Sequence, residues 1–417
     1  MIKNMNQIKI LLIFTIILSS CGSNYTAINN SAKEKAMTID STKQYGFNRD
    51  FLKKHITVIE LKNGSSAITL VPSWQARVMT STAEGDSGFS FGWINRDLIS
   101  SRKLLPHINA FGGEERLWLG PEGGQFSLFF SKGKPFTYEN WQTPAFLDTT
   151  PFQLISSTDS TALFVNDITT QNYSGTSFKF RIEREITILS GNEINKLISV
   201  DIKGLKHVAY CSDNKLINKG EIAWKKETGL LSIWMLGMFN PSPAIIIVIP
   251  VKTGDDKLLG PMVNDTYFGK ISDQRLKVSG NHIFFKADGK SRGKIGIPPV
   301  RATGVMGSWD SENKILTLLI CRLPEGKKDY VNSSWQIQEN PYTGDVLNSY
   351  NDGPLEDGSQ MGPFYELETS SPAADLKPGE SLSHIQFTIH LMGDTSKLDE
   401  ISRSVLGVRL NEISSAF

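Results

Sequence analysis

Cysteine is scarce: Cys21, Cys211 and Cys321 are the only three among 417 residues. None forms a CxxC pair, which excludes a vicinal redox dithiol and a thiolate zinc ribbon. The chain also lacks HExxH, a Walker phosphate loop and a GxSxG nucleophile elbow. An excess of one charge is missing too. The formal net charge is +1, without the basic surplus that nucleic-acid recognition calls for, so no nucleic-acid partner is expected. Beyond the N-terminus, the longest apolar run, Leu231–Val251, is interrupted by Asn240, Pro241 and Pro243 and reads as strand–turn–strand. A pair of carboxylates of the glycosidase type stays open, because its members can lie far apart in sequence.

The N-terminus carries a targeting signal. Lys3 and Lys9 flank an otherwise uncharged start, and Ile10–Leu18 is apolar but too short for a permanent membrane helix. The run ends in Leu18-Ser19-Ser20-Cys21-Gly22. Residues 1–20 therefore read as a signal peptide whose end resembles a bacterial lipobox, with Cys21 lipidated. A diacylglyceryl thioether plus an N-acyl chain suffices for stable anchoring where one chain is marginal. Gly22-Ser23 places no acid after the cysteine, which points to the outer membrane, facing the periplasm. Residues 21–45, rich in Ser, Asn, Thr and Lys, read as a flexible tether. Cys211 and Cys321 sit in strand-like contexts, either as buried thiols or as a disulfide.

Period-2 alternation dominates the rest. Phe178, Phe180, Ile182, Ile186 and Ile188 share one strand face, interrupted by Arg184, while Lys179, Arg181, Glu183 and Glu185 share the other. Ile385, Phe387, Ile389 and Leu391 alternate with His384, Gln386, Thr388 and His390. Further strands are expected at Ile56–Leu61, Ala67–Val71, Ala76–Thr82, Gln125–Phe130, Ala162–Val165, Ala244–Val251, His282–Lys286 and Lys314–Leu323. Helices are expected only at Phe47–His55 and Ser396–Leu406. Many strands with few short helices mean an all-β chain, a large antiparallel sandwich over residues 46–395 followed by a C-terminal helix and tail over 396–417.

The most unusual stretch is Phe111–Phe130, FGGEERLWLGPEGGQFSLFF, which sets Glu114, Glu115, Arg116 and Glu122 among five glycines. Glycines permit sharp turns or a close backbone approach, and clustered charges there point to a site.

Three segments, in order, resemble the galactose mutarotase-like β-supersandwich. Pro72-Ser73-Trp74-Gln75-Ala76-Arg77-Val78 looks like its opening turn into a core strand. Cys211–Trp224, CSDNKLINKGEIAW, occupies the place of its central asparagine-rich strand. Glu366-Leu367-Glu368-Thr369, Ser371-Pro372 and Leu376-Lys377-Pro378-Gly379-Glu380-Ser381 look like its closing block. Within that superfamily the mature chain resembles an uncharacterised family of bacterial lipoproteins. The resemblance implies a general base on the anomeric hydroxyl and a general acid on the ring oxygen. It makes Glu366 and Glu368 the carboxylate candidates; two residues apart on a strand, they share a face. The family's central histidine is missing, since Asn218 is followed by Lys219, and His107 is the candidate substitute.

The remaining candidates each have a plainer reading beside the functional one. Glu115, Arg116 and Glu122 form either an internal ion network or a sugar-binding cluster in which Arg116 grips hydroxyls or a carboxylate. Trp118 and Trp224 serve as core residues or as stacking platforms for pyranose rings. The long polar segment Trp335–Gly362 offers Asn348, Asn351 and Asp352 for sugar hydroxyls. Its oxygens suit Ca²⁺ as well, but the spacing is not an EF-hand, and no metal or cofactor is expected. Asn240 and Arg301 are loop-tip candidates or ordinary turn residues. The expected function is a membrane-anchored carbohydrate-binding or carbohydrate-processing protein with a Glu general base. The competing expectation is a non-catalytic accessory lipoprotein with a degenerate cleft.

Overall fold

The computed structural model describes residues 40–326 and 329–417. The signal peptide, Cys21 and most of the expected tether lie outside the described residues. Among the described residues no helix is long and apolar enough to cross a membrane.

Among the described residues eighteen strands, β1 to β18, follow in chain order. The first six are β1 Ile59–Asn63, β2 Ser66–Val71, β3 Arg77–Thr82, β4 Arg116–Gly120, β5 Gln153–Ser157 and β6 Thr161–Gln171. Next come β7 Ser177–Ile188, β8 Lys206–Asn218, β9 Ser232–Phe239, β10 Ile245–Pro250, β11 Leu276–Ser279 and β12 His282–Lys286. The last are β13 Gly293–Ile297, β14 Val305–Asp310, β15 Ile315–Cys321, β16 Leu347–Asn351, β17 Tyr365–Ser370 and β18 Ser381–Met392. They build a ten-stranded sheet in the order β11-β12-β10-β14-β15-β18-β8-β7-β6-β5, a five-stranded sheet β13-β16-β17-β9-β4, and a small sheet β1-β2-β3. The assembly is the expected all-β antiparallel sandwich with few short helices.

The two large sheets face each other over an apolar core. Ile295, Ile297, Leu347, Tyr365, Leu367 and Phe239 of the five-stranded sheet pack with Ile247, Ile249, Phe285, Met306 and Leu319 of the ten-stranded one. The ten-stranded sheet's other side is covered by helices at Gly191–Ile198, Thr395–Val405 and Leu410–Ser414, through Ile194, Leu398, Ile401 and Ile413. The first of these has a Ser190–Glu193 capping box, a signal the period-2 reading passed over. Cys211 and Cys321 are free thiols.

Two expectations need correction. Gln125–Phe130 is not a strand: the Ser127 hydroxyl donates to the Glu122 carbonyl and accepts from Phe129 N, so local side-chain bonds replace a ladder. The polar segment Trp335–Gly362 is not one long loop, because Leu347–Asn351 within it forms β16.

Polar groups also lie between the sheets. Arg184, the interruption in the apolar face of β7, is fully buried and donates to Glu115 at 2.7 Å and to Asn214 at 2.6 Å. Ser212 and Gln386 donate to the other Glu115 oxygen at 3.0 and 2.8 Å. Nearby, Glu114 accepts from Ser81 N at 3.1 Å, 3.9 Å from His390, whose ring stacks on Phe91 at 4.0 Å. Burial pushes the Glu114 carboxyl up to about 8, although bonds from Ser81 pull it down.

That shift makes stability pH-dependent. The unfolded carboxyl loses its proton near 4.5 and the folded one near 8. Between those values the unfolded state binds fewer protons, so stability falls as pH rises, by up to about 1.4 kcal/mol per unit, and levels off above the folded value. Glu114→Gln preserves the neutral form and is expected to lose this slope. Urea unfolding at pH 5.5, 7 and 8.5 checks it: parallel pH profiles for the two proteins would contradict the assignment.

Candidate functional site

The face of the five-stranded sheet turned away from the core carries the charges. Strand alternation sends Leu117, Ile233, Met235 and Leu367 inward, so Arg116, Trp118, Trp234, Glu366 and Glu368 point the other way. Pairing aligns them: Trp118 opposes Trp234, Asn348 opposes Glu368, and Tyr350 lies between Glu366 and Lys294.

Two ion pairs organise this face. Arg116 Nη2 donates to Glu366 Oε1 at 2.5 Å, both side chains nearly buried. Glu368, fully buried, accepts on Oε2 from Lys294 Nζ and Trp234 Nε1, each at 2.9 Å. The cations also take the indole faces: Arg116 lies 4.6 Å from the Trp118 ring centroid and Lys294 Nζ 4.8 Å from that of Trp234. Burial pushes the Glu366 carboxyl up to about 7; Arg116 opposes this and Glu368 reinforces it. Among the described residues, Glu368 Oε1, Arg116 Nε, Trp118 Nε1 and Ser232 Oγ of this face are buried without a hydrogen-bond partner. Unmade bonds of both types on one buried face are costly in a structure with no use for them.

Loops cover the face. Tyr267 donates to Asp345 Oδ2 at 2.5 Å and accepts from Asn348 Nδ2 at 3.1 Å. Burial raises the Asp345 carboxyl. Glu122 accepts from Trp335 Nε1 at 3.2 Å, and burial raises its carboxyl too, with Glu368 adding to the shift and Lys294 opposing it. Trp335 is 36% exposed and runs nearly parallel to Trp141 at 5.9 Å. The glycines of the 120–124 turn seat this cover. A Cβ on Gly123 would collide with the Ser334 carbonyl and stand 2.7 Å from that of Ser333. Gly124, at φ +80°, lies against Gln338. Gln338 is tied to Gln125 and, through its amide, to the carbonyls of Asn332 and Ser334 at 3.0 and 2.9 Å.

The structure thus brings Glu366, Glu368, Arg116, Trp118, Glu122 and Asn348 together. Other sequence candidates lie elsewhere. Glu115 faces the core and is satisfied by Arg184, Ser212 and Gln386. Trp224 is buried edge-to-face between Phe178 and Phe180. Asn240 donates to the carbonyls of Ser90, Phe91 and Gly92, closing a turn. Arg301 is buried among the carbonyls of Lys252, Gly254 and Gly260 and the Asp256 carboxylate, stapling a loop. Asn351 binds Ser291 O and Gly289 N, while Asp352 binds Tyr350 and Gly362 N. His107 sits at the rim, its Nδ1 2.6 Å from Trp141 O and its ring 4.6 Å from Tyr138. None of the six histidines belongs to β4, β9, β13, β16 or β17. Trp234, Lys294, Tyr267 and Asp345 were missed. For Lys294 a signal existed: it alternates with Ile295 and Ile297. Among the described residues no cluster of three metal-ligating side chains occurs.

If the glycines seat the cover, Gly123→Ala displaces it. Faster amide exchange is expected across residues 331–338, with the exchange of β9 and β17 unchanged. Unaltered exchange in 331–338 would show that the close approach constrains nothing.

The fold is similar to that of several solved structures. A galactose mutarotase-like protein from Lactobacillus casei ATCC 334 aligns at TM-score 0.48 and 10% identity, covering 80% of this chain and 100% of that one. The Slr1438 protein from Synechocystis sp. PCC 6803 aligns at 0.48 and 13%, covering 81% and 96%. A galactose mutarotase related enzyme from Lactobacillus acidophilus aligns at 0.45 and 10%, covering 81% and 98%. These likenesses assign no activity to this chain. No curated protein matches it in sequence. One family model matches residues 43–417, nearly the whole described chain, and the protein belongs to that family, described as Family of unknown function (DUF6786).

Proposed function

We propose that the covered face of the five-stranded sheet binds a carbohydrate and that Glu368 acts there as general base. The observation that carries this reading is the group of buried, unpartnered polar atoms on this face, among them Glu368 Oε1, Arg116 Nε and Trp118 Nε1. One acceptor and two donors in a buried patch match the alternating donor and acceptor character of adjacent hydroxyls. The stacking platform is Trp335, which keeps exposed surface, rather than Trp118 or Trp234, whose faces hold cations.

The chemistry that fits is opening of an aldose ring. Lys294 and Trp234 hold one oxygen of Glu368, leaving Oε1 to take the proton of the anomeric hydroxyl. Glu366, with its carboxyl pushed up to about 7, gives its proton to the ring oxygen as the C1–O5 bond breaks and the C1 carbonyl forms. Rotation about C1–C2 and reversal of both transfers give the other anomer. A carboxylic acid thus takes the role of the absent histidine. We further propose that Cys21 is lipidated and tethers the domain to the outer membrane, facing the periplasm. A second reading, a non-catalytic accessory lipoprotein, draws on the near-complete burial of Glu366 and Glu368 beneath the loops.

A glycan array followed by calorimetry on the full chain tests binding, and polarimetry on each bound sugar tests turnover. Glu368→Gln is expected to lower turnover at least about a hundredfold. In the parent protein turnover should decline as pH rises through about 7, where Glu366 loses its proton. Binding without turnover would leave the accessory reading standing; absence of binding to any sugar would remove the carbohydrate reading.

A further inference from the structure

We propose that the loop Arg102–His107 is a membrane-contact loop whose two leucines enter the interfacial layer of a lipid bilayer. The proposal rests on the anchoring at Cys21 proposed above and is separate from the chemistry of the cleft.

Leu104 is 66% and Leu105 48% exposed, side by side, and Pro106 after them is exposed as well. The loop is not loose. Leu105 N donates to Asn109 Oδ1 at 2.8 Å, and Asn109 in turn donates from Nδ2 to Asp148 at 2.7 Å. The Gln142 amide donates to the Pro106 carbonyl, and Thr143 N to the His107 carbonyl at 2.9 Å. Polar ties thus hold the loop's backbone from within while the leucines are held out in water. Beside them stands Tyr138, 56% exposed, its ring packed on His107. A tyrosine with an apolar body and a polar tip suits the depth of lipid headgroups.

The point where the chain enters the fold gives the occupant. Asp40 leads into the turn Ser41–Lys43. The Thr42 carbonyl of this turn lies 3.5 Å from Arg96 Nη1, and Arg96 also donates to Asn48 at 3.0 Å. Arg96 begins the six-residue helix Arg96–Ser101, about 9 Å long, and the loop follows directly. Phe47, 42% exposed, lies against Arg96 on the same side. Cys21, the anchor proposed above, precedes Asp40 by nineteen residues, so the side on which the chain enters the fold is the side to which a bilayer is assigned. The exposed charges nearest in sequence to the leucines and to Tyr138 cancel, Arg102 and Lys103 against Asp97 and Glu139. Insertion is therefore driven by apolar contact and is only weakly sensitive to salt. The ring contacts His107–Tyr138, Tyr138–Trp141 and Trp141–Trp335 run from the loop to the cover of the cleft, so docking by this loop would set the cleft mouth against the membrane surface.

The test uses the full chain reconstituted into phosphatidylethanolamine–phosphatidylglycerol vesicles, with an environment-sensitive dye on Leu104→Cys. Burial pushes the Cys211 and Cys321 thiols up to about 12, which keeps them poorly reactive. The expected result is a blue-shifted emission that brominated lipids quench, at low and high salt alike. The same dye at Ile222→Cys, an exposed apolar position elsewhere, should stay unquenched. Adding Leu105→Glu should abolish quenching at position 104. A chain that floats with the vesicles while the dye at 104 stays in water overturns this proposal alone. Quenching equal at 104 and 222 does so too. A chain that does not float overturns the anchor and this proposal together.

Discussion

The buried pair of Glu115 and Arg184 is the constraint on which the two large sheets depend. Both charges are wholly removed from water, a loss that mutual attraction alone seldom offsets. It is tolerated because further bonds come from Ser212, Asn214 and Gln386, on neighbouring strands β8 and β18. The pair fixes the residue immediately before β4 against the ten-stranded sheet. Strand alternation then turns Arg116 to the opposite face, where it meets Glu366. One dipeptide therefore serves the core with its first residue and the cleft with its second.

The glycine-rich prologue and the polar segment near residue 335 are two parts of one device. They lie more than two hundred residues apart, and their contact requires the absence of side chains at positions 123 and 124. Beside this contact the Trp335 indole donates to Glu122. The prologue's charges thus divide by location. Glu114 and Glu115 serve the interior, while Arg116 and Glu122 serve the covered face.

Much of the sandwich was legible because half-buried strands write their faces at period two. The run Phe178–Ile188 shows this, with Arg184 legible as an interruption of the apolar face though its partner Glu115 was not. The Glu366 and Glu368 pair came instead from the resemblance of the closing block, and period two added only that the two share a face. Trp234 was not legible: β9, SIWMLGMF, is buried on both faces, so no alternation marks which of its residues join the charged face. Lys294 alternates with Ile295 and Ile297, but the glycine and basic residues of GKSRGKIGI imitate an exposed turn and masked that signal. Trp224, Asn240 and Arg301 show the converse error. Each has the chemistry of a site residue, but each is bound by backbone or packing that only the tertiary structure supplies. No local pattern encodes a pairing such as Arg116 with Glu366.

That pairing has a consequence for how the protein comes into being. Its two partners are 250 residues apart, and in the five-stranded sheet β4 reaches β17 only through β9. Contacts of such long range form late and slowly. A chain that emerges N-terminus first from synthesis would therefore hold a lone Arg116 and an unclosed sheet until its final quarter arrived. The charged face is a certificate of completeness: a truncated product, however well its early strands pair, cannot display it.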